Sequence, residues 1–218
     1  MIMSRSVLLV AVALLLVSFV GSAPADLLSD PDFEESGDSA WDPYRSTTSF
    51  DFDFDNTDQV QNGLESLRIF FSPMDAWQIF EAKQDIPVMG GQDWSASVYA
   101  MTDISGAPSL QVYLETLFYS NSVELVGMNL QSSVLTDSTL QNEWQLLNVS
   151  GSVPAVADSA RFRLVVFNTG DPITGSGSVW FDNATVAIPE PSTLALIGLS
   201  SAALLLLRKN PKLNRSGQ

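Results

Sequence analysis

Carboxylates are the most abundant reactive side chains of this sequence, whereas histidine and cysteine are missing from it. The 218 residues include 25 aspartates and glutamates and 10 lysines and arginines. Without histidine or cysteine, Cys-His and Ser-His-Asp nucleophile arrangements are ruled out within this chain. Carboxylates can bind calcium, and a pair of them can hydrolyse glycosides. Because acids are so numerous here, no pair stands out, and we predict that the protein is not an enzyme.

The charges are unevenly distributed along the sequence. All 25 acidic residues lie between Asp26 and Glu190 together with only five basic residues, so this part carries a formal charge of −20. The other five basic residues flank apolar segments at the two ends of the chain. Because a domain this acidic is repelled by phosphate backbones, we expect no binding to nucleic acid.

Polar and aromatic side chains in two segments are of the types that bind sugars. Gln111, Tyr113 and Glu115 alternate with apolar residues in one segment, and Arg163 does so in another. Aromatic rings stack on pyranose faces, while a few polar groups bind the hydroxyls. We predict a ligand-binding set of these four residues, with Trp77 as a further member. The alternative is that Tyr113 lies on an ordinary sheet surface.

Strands must place these side chains on one surface. Residues 109–119 and 160–167 alternate in polarity with a period of two, which puts polar and apolar side chains on opposite faces of a strand. Glycine- and proline-containing turns separate them from further predicted strands at residues 64–71, 95–101, 143–149 and 178–186. The pattern predicts an all-β fold, an antiparallel sandwich or barrel, over residues 26–187.

Residues 50–58, with the sequence FDFDFDNTD, have two interpretations. The aspartates are typical of a calcium loop, but the central glycine and the terminal glutamate of an EF-hand loop are missing. We favour an amphipathic strand with Phe50, Phe52 and Phe54 inward and the aspartates outward. A calcium loop is the alternative.

The first 25 residues have the parts of a signal peptide. Arg5 precedes an apolar run at residues 7–20, and the small residues Ala23 and Ala25 suit a cleavage site. We predict that residues 1–25 are removed after Ala25 during export. An uncleaved anchor helix is the alternative.

The end of the chain combines three features in a fixed order. Pro189-Glu190-Pro191 is followed by an apolar stretch at residues 193–207 and by the basic pair Arg208 and Lys209. This order closely resembles the PEP-CTERM sorting signal. A plain C-terminal anchor is the alternative.

The resemblance to a sorting signal implies a route for the protein. Residues 188–218 are then a sorting tail with a transmembrane helix at 193–207 and a basic end at 208–218, which stays in the cytoplasm. Its partner is an exosortase-type membrane protease. We expect transient anchoring in the inner membrane, followed by delivery to the cell surface or the extracellular matrix.

Several phrases between residues 27 and 186 resemble jelly-roll carbohydrate-binding modules. Residues 27–37 (LLSDPDFEESG) are similar to the opening strand of these modules, and residues 177–186 (GSVWFDNATV) are similar to the closing strand. The resemblance implies a jelly-roll sandwich with a structural calcium ion at one edge. By motif match, Glu34, Asp182 and Glu65 are its candidate ligands. The alternative is that Asp182 caps a turn or faces solvent.

These features together predict the class of protein. We expect an exported, noncatalytic surface or matrix protein whose sandwich binds exopolysaccharide. The alternative is a structural or adhesive component of a biofilm matrix without a defined sugar ligand.

Overall fold

Period-2 patterning produces strands throughout the described part of the chain. A computed structural model of the protein describes residues 26–35 and 40–188. Its strands are β1 (Asp42–Arg45), β2 (Phe50–Asn56), β3 (Ser66–Phe71), β4 (Ile79–Pro87), β5 (Asp93–Asp103), β6 (Leu110–Ser120), β7 (Val123–Glu124), β8 (Leu130–Gln131), β9 (Gln145–Ser152), β10 (Ser159–Asn168) and β11 (Gly177–Ala187).

The strands form two antiparallel sheets that pack as a sandwich. The six-stranded sheet has the order β1-β4-β10-β6-β7, with β8 also paired to β6. The five-stranded sheet has the order β2-β3-β11-β5-β9. Rings from the two sheets meet in the core, since Trp94 of β5 lies 6.0 Å from Phe118 of β6 between ring centroids. The all-β, antiparallel sandwich prediction is therefore confirmed.

The side chains that face the core on β6 and β2 are the ones that the sequence pattern predicted. On β6 the inward side chains Leu110, Val112 and Leu114 are buried. On β2, Phe50 and Phe54 are buried and Phe52 is half-buried. The aspartates at positions 51, 53 and 55 are exposed. The strand interpretation of residues 50–58 is therefore correct for residues 50–56.

Four strands, the two-residue strands β7 and β8 together with β1 and β4, were not predicted from the sequence. The inward side of β4 carries Phe80, Ala82, Gln84 and Ile86. A small residue and a polar residue in that series weaken the period-2 signal, because strands are recognised by β-branched and aromatic residues. This omission matters, since β4 supplies Glu81, Lys83 and Asp85 to the candidate site described below.

The first described residues form a strap, residues 26–35, that connects both sheets. Gln84 of β4 accepts from Ser29 N–H (2.9 Å) and donates to its carbonyl (2.6 Å). Ala184 N–H of β11 donates to the carbonyl of Pro31 at 2.7 Å. Phe33 is fully buried and its ring stacks on Trp41 at 5.0 Å. The strap is thus part of the core.

The structure describes the sandwich and not the two terminal segments. The predicted signal peptide (1–25) and the helix and basic end of the sorting tail (189–218) lie outside the described residues. Within residues 26–35 and 40–188, no helix has the length and apolar character needed to cross a membrane.

We predict that Phe33→Ala lowers the free energy of unfolding by about 3–5 kcal/mol, because it removes a ring from a closed core. Leu146→Ala is the matched control, since Leu146 lies on β9 with 48% of its surface exposed. Its expected cost is about 0.5 kcal/mol or less. Urea unfolding measures both, and similar losses for the two variants would contradict the placement of the strap.

Candidate functional site

The outward side of the six-stranded sheet collects most of the predicted ligand-binding residues. Gln111, Tyr113 and Glu115 alternate with the buried side of β6, and Arg163 lies on the outward side of β10. The register sets Arg163 directly opposite Glu115. We call this surface the polar face. Its residues are Tyr44, Glu81, Lys83, Asp85, Gln111, Tyr113, Glu115, Tyr119, Arg161, Arg163, Phe167 and the adjoining Trp77.

Arg163 is held between two carboxylates at the centre of the polar face. Its Nη1 donates to Glu81 Oε2 at 2.7 Å and its Nε donates to Glu115 Oε2 at 2.8 Å, with a further bond from Nη2 to the same oxygen. Glu81 and Glu115 are only 8% and 5% exposed. Burial by itself lowers the pKa of Arg163, but the two carboxylates outweigh it and raise that pKa. Arg163 therefore stays charged and fixed in position.

Two further cations extend this network. Lys83 Nζ lies 3.2 Å from Glu81 Oε1 and also sits 5.7 Å from the centroid of the Tyr44 ring. Arg161 binds Asp85 with two hydrogen bonds, Nε to Oδ1 at 2.7 Å and Nη2 to Oδ2 at 2.9 Å. This hydrogen bonding lowers the pKa of Asp85. Each cation of the polar face is therefore paired with a carboxylate.

The aromatic rings of the polar face differ in their exposure. Tyr113 is only 8% exposed, whereas Trp77 is 68% exposed and Tyr44 is 49% exposed. Trp77 lies just before β4 and packs on Phe167, with 6.2 Å between ring centroids. Phe167 in turn lies opposite Gln111 in the register. A stacking platform must be accessible to solvent, and Trp77 and Tyr44 are the exposed rings of this surface, with Lys83 Nζ over one side of Tyr44.

The backbone of Trp77 is unusual. Its φ angle is 63°, in the left-handed region that bulky residues rarely adopt. Such a conformation costs about 1–3 kcal/mol and persists only where surrounding structure imposes it. Together with its exposure, this makes Trp77 the most distinctive side chain of the polar face.

Sequence reasoning missed the contribution of β1 and β4 to this surface. Tyr44, Glu81, Lys83 and Asp85 all come from these two strands. Cross-strand register brings them here, with Lys83 opposite both Asp42 and Arg163. The alternation of charged residues at positions 81, 83 and 85 could have indicated that β4 is a strand with one polar side.

The candidate metal ligands lie at one edge of the sandwich around the loop that precedes β3. Glu34 Oε1 accepts from the N–H groups of Leu64 and Glu65 at 2.5 and 3.1 Å. Asp182 Oδ2 accepts from the N–H groups of Gln61 and Asn62 at 2.8 and 3.1 Å. The strap, this loop and β11 are therefore joined through carboxylates.

Two features of this edge suit a cation. Glu65 Oε2 is buried and has no hydrogen-bond donor among the described residues. Burial, followed by the charges of neighbouring carboxylates that include Glu34, raises the pKa of Glu65. Burial also raises the pKa of Asp182, against the effect of its amide hydrogen bonds. In the part of the chain that the structure describes, however, no three acidic side chains converge on one point as a metal site.

Comparison with known families identifies the C-terminal signal. Residues 187–209 match the PEP-CTERM protein-sorting motif, which indicates an exported surface protein. No curated protein matches the sequence.

The sandwich has the fold of carbohydrate-binding modules. A module solved with β-1,4-galactotriose, TmCBM61, has a TM-score of 0.52 at 13% identity, covering 75% of this chain and 99% of that one. A Clostridium thermocellum xylanase fragment solved with xylohexaose, which includes a CBM22 module, has a TM-score of 0.53 at 14% identity, covering 76% and 29%.

Part of an enzyme domain also shares this fold. The enzymatically active domain of tailspike protein 4 from bacteriophage CBA120 has a TM-score of 0.55 at 12% identity, covering 75% of this chain and 21% of that one. The chain thus spans about a fifth of the tailspike domain and under a third of the xylanase fragment. At these identities the likeness establishes the fold alone.

We predict that Arg163→Met lowers the free energy of unfolding by about 3 kcal/mol, because it leaves the buried Glu115 without its cationic partner and removes one of the two cations bound to Glu81. Arg161→Met on the same strand is the matched control. Its partner Asp85 keeps 61% of its side chain exposed, so the expected loss is below about 1 kcal/mol. Thermal and urea unfolding measure both variants, and equal losses would contradict a buried network around Arg163.

Proposed function

We propose that the protein is an exported cell-surface or matrix protein whose sandwich binds exopolysaccharide on the polar face without cleaving it. The observation that carries this proposal is an exposed tryptophan beside a fixed network of charged groups on one sheet of the sandwich. The sorting motif and the fold of the sandwich support the setting and the class of ligand.

The polar face can bind a sugar chain through two kinds of contact. The exposed rings of Trp77 and Tyr44 offer stacking surfaces for pyranose rings. Arg161 and Asp85 are held in fixed positions near the solvent and can donate to and accept from neighbouring hydroxyls. Because ion pairing fixes these groups beforehand, little side-chain entropy is lost on binding.

The carboxylates at the centre of the polar face favour binding over catalysis. Glycoside hydrolysis needs one carboxylic acid that donates a proton and a second, free carboxylate. Glu81 and Glu115 both accept hydrogen bonds from Arg163. These hydrogen bonds hold Oε2 of both carboxylates inside the network, so neither carboxylate is a free group as such a reaction requires.

The sorting tail supports delivery to the cell surface. An exosortase-type membrane protease would recognise the Pro-Glu-Pro sequence at residues 189–191, while the basic end from Arg208 stays on the cytoplasmic side of the membrane. Cleavage near the motif then releases the acidic sandwich outside the membrane.

A structural calcium ion at the edge of the sandwich is part of the proposal. Glu34, Asp182 and Glu65 would hold it, and the supporting observation is that Glu65 Oε2 is buried with no hydrogen-bond partner in residues 26–35 and 40–188. Calcium prefers carboxylate oxygens, and its charge would offset the mutual repulsion of these groups.

For the sugar site, we predict that Trp77→Ala weakens binding about tenfold, equivalent to about 1.4 kcal/mol of lost stacking. Affinity electrophoresis in the native exopolysaccharide measures this as lost retardation. Leu146→Ala, on the other sheet, is the control and should migrate like the wild type. Wild-type protein that shows no retardation would favour the structural or adhesive role instead.

For the metal site, we predict that chelation lowers the melting temperature at neutral pH. Because the pKa values of Glu65 and Asp182 are raised in the folded state, these two groups should stabilise the chelated protein as the pH falls from neutral through their folded pKa values. Calcium should reduce this pH dependence. Glu65→Gln should remove most of the chelator effect, whereas the control Glu124→Gln on β7 should retain it. A melting temperature that is unaffected by chelation would contradict the calcium site.

A further inference from the structure

The two ends of the described domain are bound to each other. Asp26, the first residue after the predicted signal peptide, accepts a hydrogen bond from Val186 N–H through Oδ1 at 3.1 Å. The same oxygen accepts from Leu28 N–H at 3.1 Å. In return, Leu27 N–H donates to the carbonyl of Val186 at 3.2 Å. We call these contacts the terminal staple.

The terminal staple covers the side of β11 that β3 leaves free. β3 pairs with β11 from Gly177 to Phe181 only, whereas β5 pairs with β11 as far as Ala187. Beyond Phe181 the strap takes the place of β3. Both main-chain groups of Val186 are therefore engaged by Asp26 and Leu27, while Ala187 is paired with Ser95 and accepts from its hydroxyl at 3.3 Å.

The sorting motif overlaps this closed part of the sheet. The matched motif begins at residue 187, which is the last residue of β11. Ile188 is half-buried against the core. Residues just before the Pro-Glu-Pro sequence are therefore held in the sandwich.

We propose that the terminal staple limits proteolytic sorting, so that the end of β11 must open before the tail is cut. Asp26 is a positioning residue in this device and acts through Val186. The inference depends on the proteolytic sorting proposed above. A protein that binds a peptide in extended form uses the main-chain groups of that peptide, and at residues 186 and 187 those groups are already bonded within the domain.

The rate at which the tail is cut should depend on how often the end of β11 opens. Strand ends open without global unfolding, and cleavage of an opened state follows its equilibrium population when opening is fast. Removing the Asp26 acceptor should therefore raise the cleavage rate by about fivefold to tenfold, the change that one hydrogen bond of average strength makes in such a population.

The decisive variant separates the motif from the sheet. A flexible Gly-Ser linker of six residues is inserted between Ile188 and Pro189 of the full chain, which leaves every staple contact in place. The same linker inserted after Gly175, in the exposed turn before β11, is the control. Tail loss is followed by pulse-chase and immunoblotting of a C-terminal epitope in a bacterium that carries an exosortase.

Two substitutions test the staple itself. Asp26→Ala removes the acceptor, whereas Asp26→Asn keeps an oxygen at the same position. N-terminal sequencing checks that signal-peptide cleavage is the same in both. We expect faster tail loss for Asp26→Ala, wild-type rates for Asp26→Asn, and no added effect of Asp26→Ala once the linker at Ile188 is present.

The outcomes distinguish this inference from the function that it depends on. Faster tail loss with the linker after Ile188, and not with the linker after Gly175, supports the staple as the limiting device. An unchanged or slower rate with the linker after Ile188 overturns it while leaving proteolytic sorting intact. A tail retained in every variant contradicts proteolytic sorting, and the device with it.

Discussion

The packing of two sheets against each other is the constraint on which the rest of this structure depends. The chain has no cysteine, so its stability comes from the buried inner faces of the sandwich. Strand alternation then sends every second side chain outward. On the six-stranded sheet, the outward residues of β4, β6 and β10 lie side by side because the register of the inner face fixes their positions. The polar face is thus a consequence of how the core is packed.

The sequence predicted which side chains share a face more successfully than it predicted their surroundings. Alternation in β6 and β10 placed Gln111, Tyr113, Glu115 and Arg163 together, as the structure shows. Pairing between distant strands is not encoded locally, so Glu81 could not be recognised as the second partner of Arg163. The same limit applies to exposure: Tyr113 is covered by its neighbours, whereas Trp77 stays open next to Phe167.

Most basic residues of the sandwich lie on the polar face. Three of the five basic residues between Asp26 and Glu190 lie there, namely Lys83, Arg161 and Arg163. Each has a carboxylate partner, so the surface is dense in hydrogen-bonding groups without a large net charge of its own. The candidate metal edge has the opposite character, because carboxylates are close together there and amide N–H groups are their main partners.

The outward aspartates of β2 have a consequence for proteins that accumulate side by side. β2 is an edge strand of the five-stranded sheet, and an unprotected edge is a template for pairing with another chain. Asp51, Asp53 and Asp55 place a row of negative charges along that edge, which opposes its pairing with the same edge of a second molecule. Crowded copies therefore resist joining their five-stranded sheets through two β2 edges.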